Sequence, residues 1–259
     1  MTAANHPDIL LHTEAGVCTI TLHRVARKNA LTAAMYQALT AALQHAQADD
    51  AVRVVLIQGD PTVFCAGNDI ADFVDNPPTA QDAPVLVFLH TLAAFSKPLV
   101  AAVCGPAVGV GTTMLLHCDL VYAGDNAVFS LPFVNLGLCP EAAASLLVPQ
   151  LMGYHRAAEA MLLGEPFMAE AALEVGLVNR VVPPTECNAV AQAQARKLAA
   201  KPAAPLQATK RLMKQASAQR VQDALARESA EFVQLLRGPA AREAFGAFID
   251  KRLPDFGGL

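Results

Sequence analysis

The sequence predicts an α/β body over residues 1–190 and a helical segment over 191–259, and three observations carry that expectation. Two short runs, "VRVVLIQG" (52–59) and "KPLVAAVCG" (97–105), are almost continuously apolar, like strands covered on both faces of a parallel sheet. Segments with helical apolar spacing lie between such runs. From about residue 186 the chain turns almost wholly helical, with Pro202, Pro205, Pro239 and Pro254 punctuating runs such as "SAQRVQDALARESAEFVQLLR". No internal repeat of fixed period is visible.

Taken in order, "GVCTITLHR" (16–24) alternates and carries β-branched residues, which reads as a strand. "NALTAAMYQALTAALQHAQAD" (29–49) puts Leu31, Met35, Leu39 and Leu43 on one helical stripe. "VRVVLIQG" is a second strand, and the turn-rich "GDPTVFCAGNDI" follows it. An apolar helix is expected over roughly 84–95, then the buried strand "KPLVAAVCG". "GPAVGVGTTMLLHCD" turns into a helix, and "LVYAGDNAVFSLP" returns to strand. Another helix is expected to start near Pro140, because proline is tolerated in a first helical turn and glutamate suits that position. "AAEAMLLGEPFMAEAALEVGLVNRVVP" reads as helix, turn, short helix and strand.

Of the 259 residues 54% are apolar and 16% charged, which describes a globular chain with a generous core. So low a charged fraction points to surface buried between subunits. A net charge of −4 without any block of like charges argues against a nucleic-acid face and against a basic membrane-surface helix. The uncharged stretch from Pro98 to Cys118 is long enough for a membrane span, but Gly105, Pro106, Gly109 and Gly111 make one continuous helix a poor reading. Cys18, Cys65, Cys104, Cys118, Cys139 and Cys187 form no C-x-x-C pair and sit mostly among apolar neighbours, as reduced core thiols do. "MTAANHPDILLHTEAG" lacks the basic start and apolar core of a secretory leader, and "DFGGL" is not a peroxisomal tripeptide. The expected compartment is the cytoplasm.

Neither a G-x-S-x-G elbow nor a phosphate-binding G-x-x-x-x-G-K-[ST] loop occurs. "GPAVGVGTTM" has the setting of a dinucleotide fingerprint, but Met114 stands where its third glycine belongs. "HCD" (117–119) is a poor metal site, since adjacent residues on a helix point different ways. Two loops remain, "FCAGND" (64–69) and "AVGVG" (107–111), each after a buried strand and built mainly of small residues. They are either ordinary tight turns or places where free backbone N–H groups meet developing negative charge. Between Asp125 and Arg156, Glu141 is the only formally charged side chain. It either complements a helix dipole or lines a pocket whose desolvation makes it a better base.

The stretches "FCAGNDI", "KPLVAAVCGPAVGVGTTMLLHCDLVYAGDNAVFSLPFVNLGL" and "EVGLVNRVV", in this order and spacing, resemble the crotonase (enoyl-CoA hydratase/isomerase) superfamily over nearly the whole chain. The resemblance implies a crotonase-like spiral of ββα units with a C-terminal helical trimerisation segment. It implies an acyl-CoA thioester as substrate, coenzyme A entering only as part of it, no separate cofactor or metal, and a homotrimer or dimer of trimers. It also implies an oxyanion hole of two peptide N–H groups, which fall at Asn68, after "AG", and at Val110, within "GVG". One such donor is typically worth roughly 10²–10³ in rate.

In two-glutamate hydratases of this superfamily the catalytic carboxylates stand where this chain has Thr113 and Phe133, neither of which can serve. The peroxisomal-type enoyl-CoA delta-isomerases instead carry a glutamate after "N-L-G", and Glu141 in "VNLGLCPEAAAS" corresponds to it. A coenzyme-A dehalogenase branch has its aspartate nucleophile near the same place. The resemblance therefore implies that Glu141 shifts a 3-enoyl-CoA double bond to the 2-trans position, with Phe133, Leu136 and Leu138 excluding water. Enoyl-CoA hydration, thioester hydrolysis and non-catalytic acyl-CoA binding are the alternatives. Coenzyme A contacts are expected from Lys28, Ala30, Ala66, Asp69 and Ile70. Lys28 and Arg27 either meet phosphate groups or form a solvated basic pair, and Asp69 can equally cap the next helix.

Overall fold

The computed structural model describes residues 6–80 and 82–259; the first five residues, part of the stretch read for a leader, lie outside it. The strands are β1 (Ile9–Glu14), β2 (Val17–Leu22), β3 (Val54–Gln58), β4 (Leu99–Val103), β5 (Pro106–Val108), β6 (Leu120–Gly124), β7 (Val128–Ser130), β8 (Phe167–Met168) and β9 (Arg180–Val182). Six of them form the main sheet in the order β1-β2-β3-β4-β6-β9. The β1–β2 hairpin is antiparallel and every other pairing in that sheet is parallel. A second sheet has the order β5-β7-β8.

Helices α1 (Ala33–Ala48), α2 (Ile70–Asp75) and α3 (Pro84–Ala94) fill the first crossovers. The short α4 (Val110–Thr113), α5 (Ala144–Met152), α6 (Tyr154–Ala158) and α7 (Ala169–Glu174) follow. The chain closes on α8 (Pro184–Ala199), α9 (Ala203–Gln215), α10 (Ala218–Leu236) and α11 (Pro239–Ile249). After β4, and again after β6, the chain leaves the main sheet for a strand of the second one, which is the ββα turn of the expected spiral.

Alternation along the central strands splits the core into two layers. Ile20, Val55, Ile57, Ala101, Val103 and Val121 face α1 and α3. Val17, Val54, Leu56, Val100, Ala102 and Tyr122 face α8. That helix presents Cys187, Ala191, Ala195 and Ala199, four small side chains at i, i+4 spacing, so it lies close to the sheet. The boundary expected at residue 190 falls inside this helix, and the helical segment that leaves the sheet begins at α9.

Two buried lysines tie the layers together. Lys97 donates to the carbonyls of Ala46 (2.7 Å), Asp49 (2.7 Å) and Val52 (2.9 Å), closing the end of α1. Lys210 on α9 donates to the Lys97 carbonyl and to Asp119 Oδ2, both at 2.7 Å. Among the described residues no helix is long and apolar enough to cross a membrane, and the stretch Pro98–Cys118 holds two strands and short helical turns.

The structure corrects one element at the site. The helix expected from Pro140 starts at Ala144, because Ala142 and Ala143 have φ of 61° and 58°. Two successive left-handed residues cannot belong to a right-handed helix. Glu141 therefore sits in a loop and not in a helical first turn, and the dipole reading lapses. "LVYAGDNAVFSLP" likewise divides into β6 and β7, which belong to different sheets.

Candidate active site

The loops at 64–69 and 107–111 lie against one another. Cys65 N–H donates to the Pro106 carbonyl (3.0 Å) and Val108 N–H to the Cys65 carbonyl (2.9 Å). The approach requires glycine at Gly111, where a Cβ would stand 2.5 Å from the Cys65 oxygen. Gly67, at φ +91°, would carry one 3.0 Å from the Val108 oxygen.

On the other side Leu31 N–H donates to the Gly67 carbonyl (2.8 Å) and Asp69 N–H to the Leu31 carbonyl (2.9 Å). These bonds flank Asn68 and leave its own N–H pointing away from that pairing. Val110 opens α4, where first-turn amides lack intrahelical acceptors. Among the described residues neither the Asn68 nor the Val110 N–H has a backbone acceptor. The strained residue is Gly109 (φ 54°, ψ −117°), so Val110 needs no glycine, and its side chain is 1% exposed in the core.

Glu141 is 6% exposed, and its buried Oε1 has no hydrogen-bond partner. Burial, then the charge of Glu228, pushes its carboxyl up to about 8. Its charge in turn helps to raise Tyr36 on α1 and Cys65 in the first loop, after burial in both cases, so the carboxylate stands near both. Tyr36 O–H donates to Asn68 Oδ1 at 2.5 Å. Tyr36 also lines a cavity of about 410 Å³ with Leu31, Phe73 and the segments 76–80 and 82–85.

Two buried side chains hold the Glu141 loop. His117 Nε2 lies 2.8 Å from the Ala142 carbonyl. Burial lowers His117 to about 4, so the ring is neutral, and an oxygen acceptor requires the proton on Nε2. Glu228 on α10 accepts from Ala143 N–H (2.6 Å), Ser145 N–H (2.8 Å) and the Ser145 hydroxyl. It supplies the cap that Ala143 cannot provide for α5.

Sequence reasoning missed Glu228. One signal was available: it occupies the apolar stripe of α10 with Leu225 and Phe232, where a carboxylate is out of place.

The other expected residues divide. Phe133 and Leu138 are buried and Leu136 half-buried in the cluster that includes Phe73 and Phe232. Thr113 is buried, with no hydrogen-bond partner for its hydroxyl. Ala30, Ala66 and Ile70 are half-buried and Lys28 is exposed; the Lys28 carbonyl accepts from Ala66 N–H at 2.9 Å. Asp69 is 5% exposed and already engaged, pairing with Arg24 Nη1 at 2.7 Å and capping α2 through Asp72 N–H. Burial opposes its ionisation, yet the Arg24 hydrogen bond and the Asp72 amide hold it below the usual carboxylate value. Asp119 of "HCD" is likewise taken up, by Lys210.

Comparison with known proteins assigns this geometry to a family. The family model described as "Enoyl-CoA hydratase/isomerase" matches residues 12–258. The chain is 34% identical over 253 residues to 2,3-dehydroadipyl-CoA hydratase of Escherichia coli (strain K12), covering 97% of this chain and 99% of that protein. It is 39% identical over 187 residues to enoyl-CoA delta isomerase 2 of Rattus norvegicus, covering 70% of this chain and 48% of the relative, so it spans about half the rat protein's length. OdaA of Pseudomonas aeruginosa superposes with a TM-score of 0.92 at 44% identity, over 94% of this chain and 99% of that one.

The chain belongs to the enoyl-CoA hydratase/isomerase family, and its fold is the crotonase spiral with C-terminal helices. It is an acyl-CoA enzyme of that family.

Proposed function

We propose that the chain is an enoyl-CoA delta-isomerase that moves the double bond of a 3-enoyl-CoA to the 2-trans position. The observation that carries this reading is Glu141, a buried carboxylate with an unpartnered oxygen whose charge is felt at Cys65, in the first of two abutting loops that each offer a free amide. The thioester oxygen lies between the N–H groups of Asn68 and Val110. Ionised Glu141 removes a proton from C2; the C2–H electron pair enters the π system, and negative charge reaches the thioester oxygen as a dienolate. The two amides are aimed there before reaction and need no rearrangement. Protonated Glu141 then returns the proton at C4, giving the conjugated product and the starting carboxylate.

One carboxylate suffices because it serves as base and then as acid. A pKa near the working pH suits both roles. The side walls of Phe133, Leu136 and Leu138 keep water from the dienolate. Glu141→Gln should lower isomerisation of 3-hexenoyl-CoA by about 10²–10⁴-fold while leaving acyl-CoA binding intact. The rise of conjugated enoyl-thioester absorbance measures the first, and calorimetric titration the second. A variant with wild-type turnover would sink the assignment.

A second reading, hydration with Glu141 activating water, is favoured by the near-full-length similarity to the E. coli hydratase. Crotonyl-CoA separates the two, since hydration removes its conjugated absorbance. Solvent deuterium entering the acyl chain during conjugation supports the shuttle.

A further inference from the structure

The proton shuttle makes no use of Glu228, yet Glu228 is a carboxylate only 7% exposed on an otherwise apolar helix stripe. Both of its oxygens accept hydrogen bonds from the residues just after Glu141. We infer that Glu228 is a positioning residue: from α10 it fixes the loop that carries Glu141 and keeps a second negative charge beside that acid. The inference rests on Glu141 being the base.

The loop has little to hold it otherwise. Ala142 and Ala143 are both left-handed, a conformation that alanine enters only when its surroundings impose it. Ala143 offers no side-chain cap, so the first amides of α5 need an acceptor from elsewhere. Glu228 supplies that acceptor on one side, and His117 holds the Ala142 carbonyl on the other. The clamp therefore grips the Ala142–Ala143 peptide from both sides, its carbonyl through His117 and its N–H through Glu228.

The same contact sets charge. The groups coupled to Glu141 are Tyr36 from α1, Cys65 from the first loop, Cys139 from its own loop and Glu228 from α10. Tyr36, Cys65 and Cys139 are pushed up, mainly by burial, and stay neutral. Burial leaves Glu228 raised on balance, against the pull of its three donors, but with both oxygens accepting it is the ionised form that fits. Arg227, next to it in sequence, also favours its charge. Of these neighbours, Glu228 alone confronts Glu141 with a negative charge, and a like charge raises the basicity of its partner.

The test compares pH profiles of 3-hexenoyl-CoA isomerisation for the wild type, Glu141→Gln, Glu228→Gln and Glu228→Asp. Glu228→Gln removes the charge while keeping the shape, so the acid limb of kcat/KM should move to lower pH. Its kcat should fall about tenfold to a hundredfold with KM nearly constant, as a displaced base gives. Glu228→Asp keeps the charge and loses reach, so kcat should fall while the limb stays. A merely structural residue would lower thermal stability and leave the limb of the folded enzyme in place. That result, or a Glu228→Gln variant with wild-type kcat, overturns the inference.

If Glu228→Gln fails to fold, Ser145→Ala removes one donor to Glu228. It should lower kcat with KM held, and wild-type kinetics in it would overturn the inference. An active Glu141→Gln would remove the underlying reading and this one with it. An inactive Glu141→Gln beside a wild-type-like Glu228→Gln would remove this one alone.

Discussion

Glu141 makes two opposite demands on pH. As the proposed base it must be ionised, so with its carboxyl raised to about 8, kcat/KM for 3-hexenoyl-CoA should climb through that value. For stability the sign is reversed. Between the ordinary glutamate value and about 8, the folded chain keeps a proton that the unfolded chain has lost. Stability therefore falls as pH rises across that window, by on the order of 1.4 kcal/mol for each pH unit crossed. Glu141→Gln should consequently melt higher than the wild type above pH 8 and lose most of that advantage in mild acid. Melting curves at the two pH values check this. His117 behaves the other way. Lowered to about 4, it contributes stability that is present above the ordinary histidine value and is lost as pH falls through about 4.

At the scale of elements, the two loops depend on backbone contact. Gly111→Ala places a methyl against the Cys65 carbonyl, which has no room to yield because it is already bonded to Val108. We expect a loss of about 1–3 kcal/mol of stability and a larger proportional loss of kcat than of binding, read by denaturant titration and steady-state kinetics. These loops were legible in sequence because small residues after an apolar run advertise close packing. β3 and β4 were legible for the same local reason, burial on both faces. β1 was not, since this edge strand is exposed along most of its length and its apolar residues stop after Ile9, Leu10 and Leu11. Nor was the start of α5. Proline followed by glutamate reads as a helix start, and only the left-handed alanines, imposed by contacts from α10 and His117, undo it.

At the scale of the molecule, the C-terminal helices are tied to the proposed site. Lys210 pins α9 to Asp119 and to the backbone at Lys97, and α10 then delivers Glu228 to a loop 85 residues away in sequence. Lys210→Met should cost about 3–5 kcal/mol by leaving the Asp119 charge without a cation, only the Leu99 N–H remaining bonded to it. Hydrogen exchange should accelerate first in α9 and α10, with catalysis falling in step. The apolar stripe of α10 marks Glu228 as out of place, but no local pattern announces what a side chain reaches across that span, which is why the sequence points to the proposed base and hole and not to the contact between Glu228 and the Glu141 loop.

Val110 has a consequence of its own. Its amide is a free donor of the second loop, whereas its isopropyl group is sealed among core residues, so one residue joins the proposed oxyanion hole to the hydrophobic interior. On the proposed mechanism, trimming or enlarging that hidden side chain shifts the donor by fractions of an ångström from behind. If that mechanism operates, turnover can be tuned by changing interior volume, with no atom of the substrate's surroundings replaced.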